Sequence, residues 1–95
     1  MLFIAHCTDK PGHLQVRLDT RPDHLAFLKA KGDALKLAGP TTEADEETPN
    51  GSLLIFEDAD LEAAKAWVAG DPYGTAGLFD SVIVKPWKHA IGGGL

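Results

Sequence analysis

The sequence predicts an α+β sandwich of four strands and two helices, in the order βαββαβ. Three observations support this. Short apolar runs of strand length alternate with two longer helical patterns, turn residues mark the boundaries, and the chain contains no internal repeat. This order of elements is the ferredoxin-like pattern, in which one antiparallel sheet carries both helices on one face. A single domain is expected over residues 1–90, followed by a flexible glycine-rich tail over 91–95.

The first strand and the first helix are predicted from their boundaries. Residues 2–7 form a short apolar run, which is typical of a strand, and a turn cluster follows. A short helical lead-in is expected over residues 13–19. The helix proper is expected over residues 21–31, because Thr20 is a capping residue and Pro22 is tolerated in a first turn.

The second and third strands are predicted on either side of an acidic loop. The second strand is expected over residues 34–38 and the third over residues 52–57. Residues 41–51 are rich in acidic and turn-forming side chains, so they are expected to be exposed.

The second helix and the fourth strand complete the pattern. Asp60 is expected to cap a helix that runs through residue 68 and closes at Gly70. A turn or helical stub then leads from residue 71 to residue 77. The fourth strand is expected over residues 78–87.

The predicted strands are apolar on both faces, which indicates self-association. Residues 2–5, 53–56 and 82–84 are all apolar, whereas two helices can cover only one side of a sheet. The exposed second face must be buried by something else. We expect a homodimer that packs sheet against sheet as a dimeric α/β barrel.

Charge and cysteine content exclude several classes of function. The formal net charge is −5, whereas nucleic acids and anionic membranes both require a basic surface, so neither is an expected partner. The single cysteine, Cys7, allows no intrachain disulfide. Neither a secretory signal nor a membrane span is evident, and the expected compartment is the cytoplasm.

No cofactor or metal is expected. The sequence has neither a glycine-rich dinucleotide motif after a strand nor a P-loop. Four histidines are present, but no pair has the close helical spacing of a zinc site.

His24 and Asp71 are the candidate acid–base pair. In the predicted first helical turn, His24 would lie near the positive end of the helix dipole, which favours a neutral imidazole and a general base. Alternatively, it is a boundary histidine bonded to a backbone carbonyl. Asp71 precedes Pro72, so its carboxylate is held in a fixed direction and either orients an imidazole or merely caps the following turn.

Two arginines and a tyrosine are candidates for binding a small molecule. Arg17 and Arg21 are four residues apart, so they could bind a carboxylate or a phenolate together. They could equally pair with Asp19, Asp23 or a partner subunit. Tyr73 could offer its phenol to a ligand or pack in the core.

The sequence resembles the YciI-like (YCII-related) family over nearly its whole length, from residue 1 to about residue 88. The matching segments are Arg17-x-x-x-Arg21-Pro22-x-His24-Leu25, Ala38-Gly39-Pro40, Gly51-Ser52, Asp71-Pro72-Tyr73 and Val84-Lys85-Pro86-Trp87. The resemblance implies a ferredoxin-like fold that assembles as a dimeric α/β barrel. It also implies cofactor-independent elimination or isomerisation of small, often aromatic, ring compounds.

The resemblance also assigns site residues. It implies a cleft that holds a His–Asp pair, carried here by His24 and Asp71, with Arg17 and Ser52 lining or bordering it. Small residues at 74–77 depart from the family pattern and affect pocket size. The leading hypothesis is a cofactor-independent lyase or isomerase in which Arg17, Ser52 and Tyr73 bind the substrate. The alternative is a non-catalytic module that binds a small ligand.

Overall fold

The fold is an antiparallel four-stranded sheet with the helices on one face, in a computed structural model that describes residues 1–95. The strand order is β2-β3-β1-β4, so β1 and β3 are central. The strands are β1 (Leu2–Asp9), β2 (Leu35–Thr42), β3 (Pro49–Glu57) and β4 (Phe79–Pro86). The helices are α1 (Leu14–Ala30), α2 (Leu61–Ala69) and α3 (Pro72–Thr75), with a short 3-10 turn at Gly32–Ala34. The predicted α+β ferredoxin-like class, the fold type of dimeric α/β barrels, is confirmed.

Helix α1 begins earlier than predicted. It is one continuous helix from Leu14 with Pro22 in its interior, so Thr20 is not its cap and the prediction of a start at residue 21 is wrong. The proline cannot donate a helical hydrogen bond to the Leu18 carbonyl. Both Pro22 and Leu18 are exposed, so this break in the helical hydrogen bonding lies where solvent has access. His24 therefore lies near the middle of α1, and the predicted dipole effect of a first turn does not apply.

Strands β2 and β3 extend into the predicted loop. β2 continues through Pro40 to Thr42. Proline has no backbone N–H, and it is tolerated here because β2 is an edge strand, which has a neighbouring strand on one side only. β3 begins at Pro49, so the hairpin connection is shorter than predicted. Gly51 lies so close to the Cys7 backbone carbonyl that a Cβ atom would collide with it, and this close approach places Ser52 against β1.

The predicted helix caps in the second half are confirmed. The Asp60 carboxylate accepts a hydrogen bond from the Ala63 backbone amide at the start of α2. Asp71 does the same for the Tyr73 amide at the start of α3. The main core lies between these helices and the sheet and comprises Phe3, Ala5, Leu28, Leu54, Phe56, Ala64 and Val68.

The other face of the sheet is apolar and carries no helix. Side chains on this face alternate with the core residues along each strand and pair across the sheet in register. They include Ile4, Leu37, Leu53, Ile55 and Ile83, of which Leu37 and Ile83 are about half exposed. None of the helices is long and apolar enough to span a bilayer.

Candidate functional site

A cleft of about 340 Å³ opens between α1 and strands β2 and β3. Its polar lining comes from Arg17, Arg21, His24, Ser52 and Tyr73, and no acidic side chain lines it. Five residues that the sequence analysis singled out therefore line one cavity, namely Arg17, Arg21, His24, Ser52 and Tyr73. A larger opening of about 590 Å³ near the hairpin between β2 and β3 is lined by none of those five residues.

His24 and Asp71 are brought into direct contact. His24 Nδ1 lies 2.8 Å from Asp71 Oδ1, and both side chains are almost completely buried. Because a carboxylate can only accept a hydrogen bond, Nδ1 carries a proton and donates a hydrogen bond to Asp71. In the neutral imidazole, Nε2 is then the nitrogen with a free lone pair, on a residue that lines the cleft.

Asp71 is held rigidly behind the imidazole. The same oxygen that accepts from His24 also accepts from the Tyr73 backbone amide at 3.0 Å, so the carboxylate is both helix cap and imidazole partner. Its second oxygen is buried and has no hydrogen-bond partner. The Asp71 carboxylate therefore receives hydrogen bonds only from the imidazole and from one backbone amide.

Tyr73 fixes the plane of the His24 ring. The two rings are stacked with centroids 3.9 Å apart and an interplanar angle of 14°. Burial raises the pKa of the Tyr73 phenol above its ordinary value, although Arg17 and Arg21 oppose this rise. The phenol is therefore neutral at physiological pH and available as a hydrogen-bond donor at the edge of the cleft.

Arg17 is held by Asp9, which the sequence analysis did not identify. Arg17 Nε and one terminal nitrogen donate to the two Asp9 oxygens at 2.7 and 3.1 Å. The same terminal nitrogen donates to Ser52 Oγ at 2.8 Å, and the guanidinium lies over the Tyr73 ring. Of the alternatives left open for Arg17, pairing with Asp19 or Asp23 does not form, since its carboxylate partner comes from the end of β1.

No local signal could have identified Asp9. It stands eight residues before Arg17, in a segment that the sequence assigns to a turn. The contact forms because β1 continues to Asp9, with an irregularity in its pairing with β4 between Thr8 and Asp9. Arg21, which shares the cleft with Arg17, has neither an ion pair nor a side-chain hydrogen bond.

Cys7 is close to the site, but burial keeps its thiol in the neutral form. Its side chain is completely buried on the helix-facing side of β1, and burial raises the pKa of the thiol to about 12. The carboxylates of Asp71 and Asp9 contribute to this rise, whereas Arg17 opposes it. A thiol with such a pKa stays neutral and is not a nucleophile at neutral pH. Nowhere do three or more potential metal ligands of the His, Cys, Asp or Glu type cluster.

The raised pKa of Cys7 predicts a loss of stability at alkaline pH. An unfolded thiol loses its proton above pH 9, whereas the folded one keeps it until about pH 12. The unfolded state is therefore favoured as pH rises between these values, and by pH 10 the free energy of unfolding should fall by about 1.4 kcal/mol. Urea unfolding at pH 8 and pH 10 measures this. Cys7→Ala should lack this component, and an identical pH dependence in both proteins would contradict it.

Comparison with known proteins places the chain in a defined group. Residues 1–88 match the family model of the YCII-related domain. Protein YciI of Escherichia coli O6:H1 is 42% identical over 95 residues, covering 93% of this chain and 97% of that protein. An uncharacterized protein of Haemophilus influenzae is 41% identical with the same coverage.

Solved structures agree with this grouping. The 5-chloro-2-hydroxyhydroquinone dehydrochlorinase TftG of Burkholderia phenoliruptrix AC1100, in complex with 2,5-dihydroxybenzoquinone, is 39% identical with a TM-score of 0.88. The match covers 95% of this chain and 96% of that one. SnoaB, a cofactor-independent oxygenase of Streptomyces nogalater, has a TM-score of 0.57 at 16% identity and covers 95% and 94% of the two chains, which shows a shared fold.

Proposed function

Since this chain belongs to the YCII-related domain family, we propose that it is a lyase or isomerase that acts on a small hydroxylated ring compound by His–Asp acid–base chemistry. The observation that carries the proposal is the 2.8 Å contact between His24 Nδ1 and Asp71 Oδ1 beside a cleft of about 340 Å³. A cavity of this size accommodates a single substituted ring. The similarity to TftG, an enzyme that removes chloride from a hydroxylated ring, supports this substrate class.

The geometry supports a simple sequence of proton transfers. His24 Nε2 accepts the proton of a ring hydroxyl, and Asp71 stabilises the imidazolium that forms. The electron pair of the broken O–H bond moves into the ring. The imidazolium then returns the proton to a ring carbon, which is isomerisation to the keto form. When that carbon carries a leaving group, His24 accepts the proton of a second ring hydroxyl, and the electron pair released from that O–H bond moves through the ring and expels the leaving group with its bonding pair, which is elimination. Both outcomes balance without a redox partner.

The remaining polar residues position the ring. Arg17 faces the cleft with its charge balanced by Asp9 and its orientation fixed by Ser52, so it supplies hydrogen-bond donors rather than net charge. The neutral Tyr73 phenol donates to a ring oxygen. Together with His24 these groups surround one ring from the helix side and the sheet side of the cleft.

A panel of hydroxylated and halogenated hydroquinones, followed by ultraviolet absorbance and halide release, tests the proposal. Turnover of at least one compound by the wild-type protein, and none by His24→Ala, is expected. 2,5-Dihydroxybenzoquinone serves as the reference ligand for binding. Binding without turnover across the panel would contradict an enzymatic role and favour a ligand-binding module.

We further infer that two copies associate through the open face of the sheet. Ile4, Ile55 and Leu37 form an apolar row across three strands on that face, and Leu53 and Ile83 lie on either side of His6 in the next row. A second copy of the chain can cover this surface with its own identical face, and the apolar surfaces of both chains are then buried together. The prediction of a homodimer therefore stands as a proposal.

If two copies associate in this way, a charged side chain introduced on this face should prevent dimer formation. Leu37→Asp introduces a carboxylate opposite Ile55 in the apolar row, at a side chain that is half exposed in the single chain, so association should be lost while the fold is kept. Light scattering after size-exclusion chromatography should give about 20 kDa for the wild-type protein, twice the chain mass of 10.1 kDa, and the monomer mass for the variant. Val16→Asp, on the helix layer, is the matched control and should stay dimeric. A wild-type monomer at micromolar concentration would contradict the dimer.

A further inference from the structure

We infer that Arg21, with Leu18 and Leu25 on either side, is an entrance subsite that admits the ring compound in its ionised form. The ligand class is a flat ring that carries one oxyanion, such as a phenolate or the enolate of a hydroxyquinone. This inference rests on the proposed function for the identity of the site. It concerns binding at the mouth of the cleft, however, and can hold even if no reaction occurs there.

The charge of Arg21 is the only cleft charge without a counter-charge in the protein. Arg17 is neutralised by both oxygens of Asp9, and the carboxylate of Asp71 is committed to His24. Arg21 has no acidic partner, and no Asp or Glu lines the cleft. In a chain of net charge −5, an arginine without a carboxylate partner at the mouth of a cavity indicates that its partner is an anionic ligand.

The residues beside Arg21 favour a ring rather than a small inorganic anion. Leu18 and Leu25 lie three residues before and four after Arg21, so all three share one face of α1. Both leucines line the cleft, and their exposed fractions are 49% and 37%. A hydrated ion gains nothing from two exposed leucines, whereas an aromatic ring buries them and leaves its oxyanion against the guanidinium.

Arg21 lies three residues before His24 on α1 and lines the same cleft as His24 and Tyr73. Its positive charge acts on the Tyr73 phenol, where it opposes the effect of burial. A ligand oxygen held by Arg21 therefore lies near the end of the cleft that contains Tyr73 and its stacked partner His24. One ionised oxygen of the ring would contact Arg21, and a second, protonated hydroxyl would remain for His24 Nε2. The subsite thus selects rings with at least two hydroxyl or oxo substituents, of which one is acidic.

Isothermal titration calorimetry with two probes tests this subsite. 2,5-Dihydroxybenzoquinone carries two vinylogous acid hydroxyls and is anionic at neutral pH, whereas 2,5-dimethoxybenzoquinone has the same ring without an ionisable group. Arg21→Gln should weaken binding of the anionic probe about tenfold to a hundredfold and leave the dimethoxy probe unaffected. Arg21→Lys should retain part of the affinity, and higher salt should weaken wild-type binding but not binding to Arg21→Gln.

The control and the turnover assay separate this inference from the proposed function. Lys29→Gln removes one exposed positive charge from α1 away from the cleft and should leave both affinities unchanged. Arg21-dependent binding of the anion with no turnover of any ring compound would refute the enzyme and retain the subsite. Unchanged anion affinity in Arg21→Gln, equal affinity for the two probes, or no binding of the anionic probe by the wild-type protein would overturn the subsite.

Discussion

His24→Gln should lower kcat by about a hundredfold to ten-thousandfold for any ring compound that the wild-type protein turns over. The substitution removes the only imidazole in the cleft, and an amide can neither accept a proton from a hydroxyl nor return it. It retains an N–H group that can still donate to Asp71, so the buried carboxylate keeps a donor. The free energy of unfolding should therefore change by no more than about 1 kcal/mol. Steady-state kinetics and urea unfolding measure the two effects.

Two further variants show whether a loss of kcat in His24→Gln is specific to the imidazole in the cleft. His13→Gln changes a histidine whose ring bonds the Pro11 carbonyl outside the cleft, and it should leave kcat unchanged. Asp71→Asn keeps an oxygen to cap α3 but weakens the control over the imidazole tautomer, so kcat should fall while KM changes little. A His24→Gln enzyme with kcat within about threefold of wild type would contradict a proton-transfer role for the imidazole.

Arg17→Met should reduce the free energy of unfolding by about 3–5 kcal/mol, because it leaves the Asp9 carboxylate buried without its counter-charge. The side chains of both residues are more than nine-tenths buried, and Asp9 receives two hydrogen bonds from Arg17. Ser52 loses the same donor. A loss of this size is a large part of the stability of a small domain, so chemical denaturation should show it clearly.

A double-mutant cycle separates this ion pair from the packing of the arginine stem. Arg17→Met combined with Asp9→Leu removes both charges and should be markedly more stable than Arg17→Met alone, since no unpaired charge remains buried. Lys36→Met is the matched control in an exposed ion pair with Glu57 at 3.5 Å, and it should cost less than about 1 kcal/mol. Equal losses for Arg17→Met and Lys36→Met would show that burial does not govern the Arg17 pair.

Much of the fold was predictable because its signals are local. Apolar runs and turn residues identified all four strands, and Asp60 and Asp71 cap α2 and α3 as their neighbours in sequence predict. The start of α1 was predicted wrongly because the caps and prolines that mark helix starts also occur inside helices. Pro22 is accepted there since the neighbouring turn is open to water and the opposite side of α1 packs on the sheet through Leu28.

The residues that belong to the site could be predicted, but most of the contacts between them could not. His24 and Asp71 were paired through a resemblance to a family, because 47 positions separate them and no periodicity connects them. The partner of Arg17 could not be inferred, since Asp9 and Arg17 meet only where β1 ends beside α1. The stacking of Tyr73 on His24 likewise depends on how α3 packs against α1, which no pattern in either segment records.

A crystal structure of the protein soaked with 2,5-dihydroxybenzoquinone tests the central claim most directly. We expect the ring between α1 and strands β2 and β3, with one oxygen at hydrogen-bond distance from His24 Nε2 while Nδ1 keeps its contact with Asp71. A ring bound elsewhere, or bound in the cleft with His24 turned away from it, would contradict an acid–base role for this histidine.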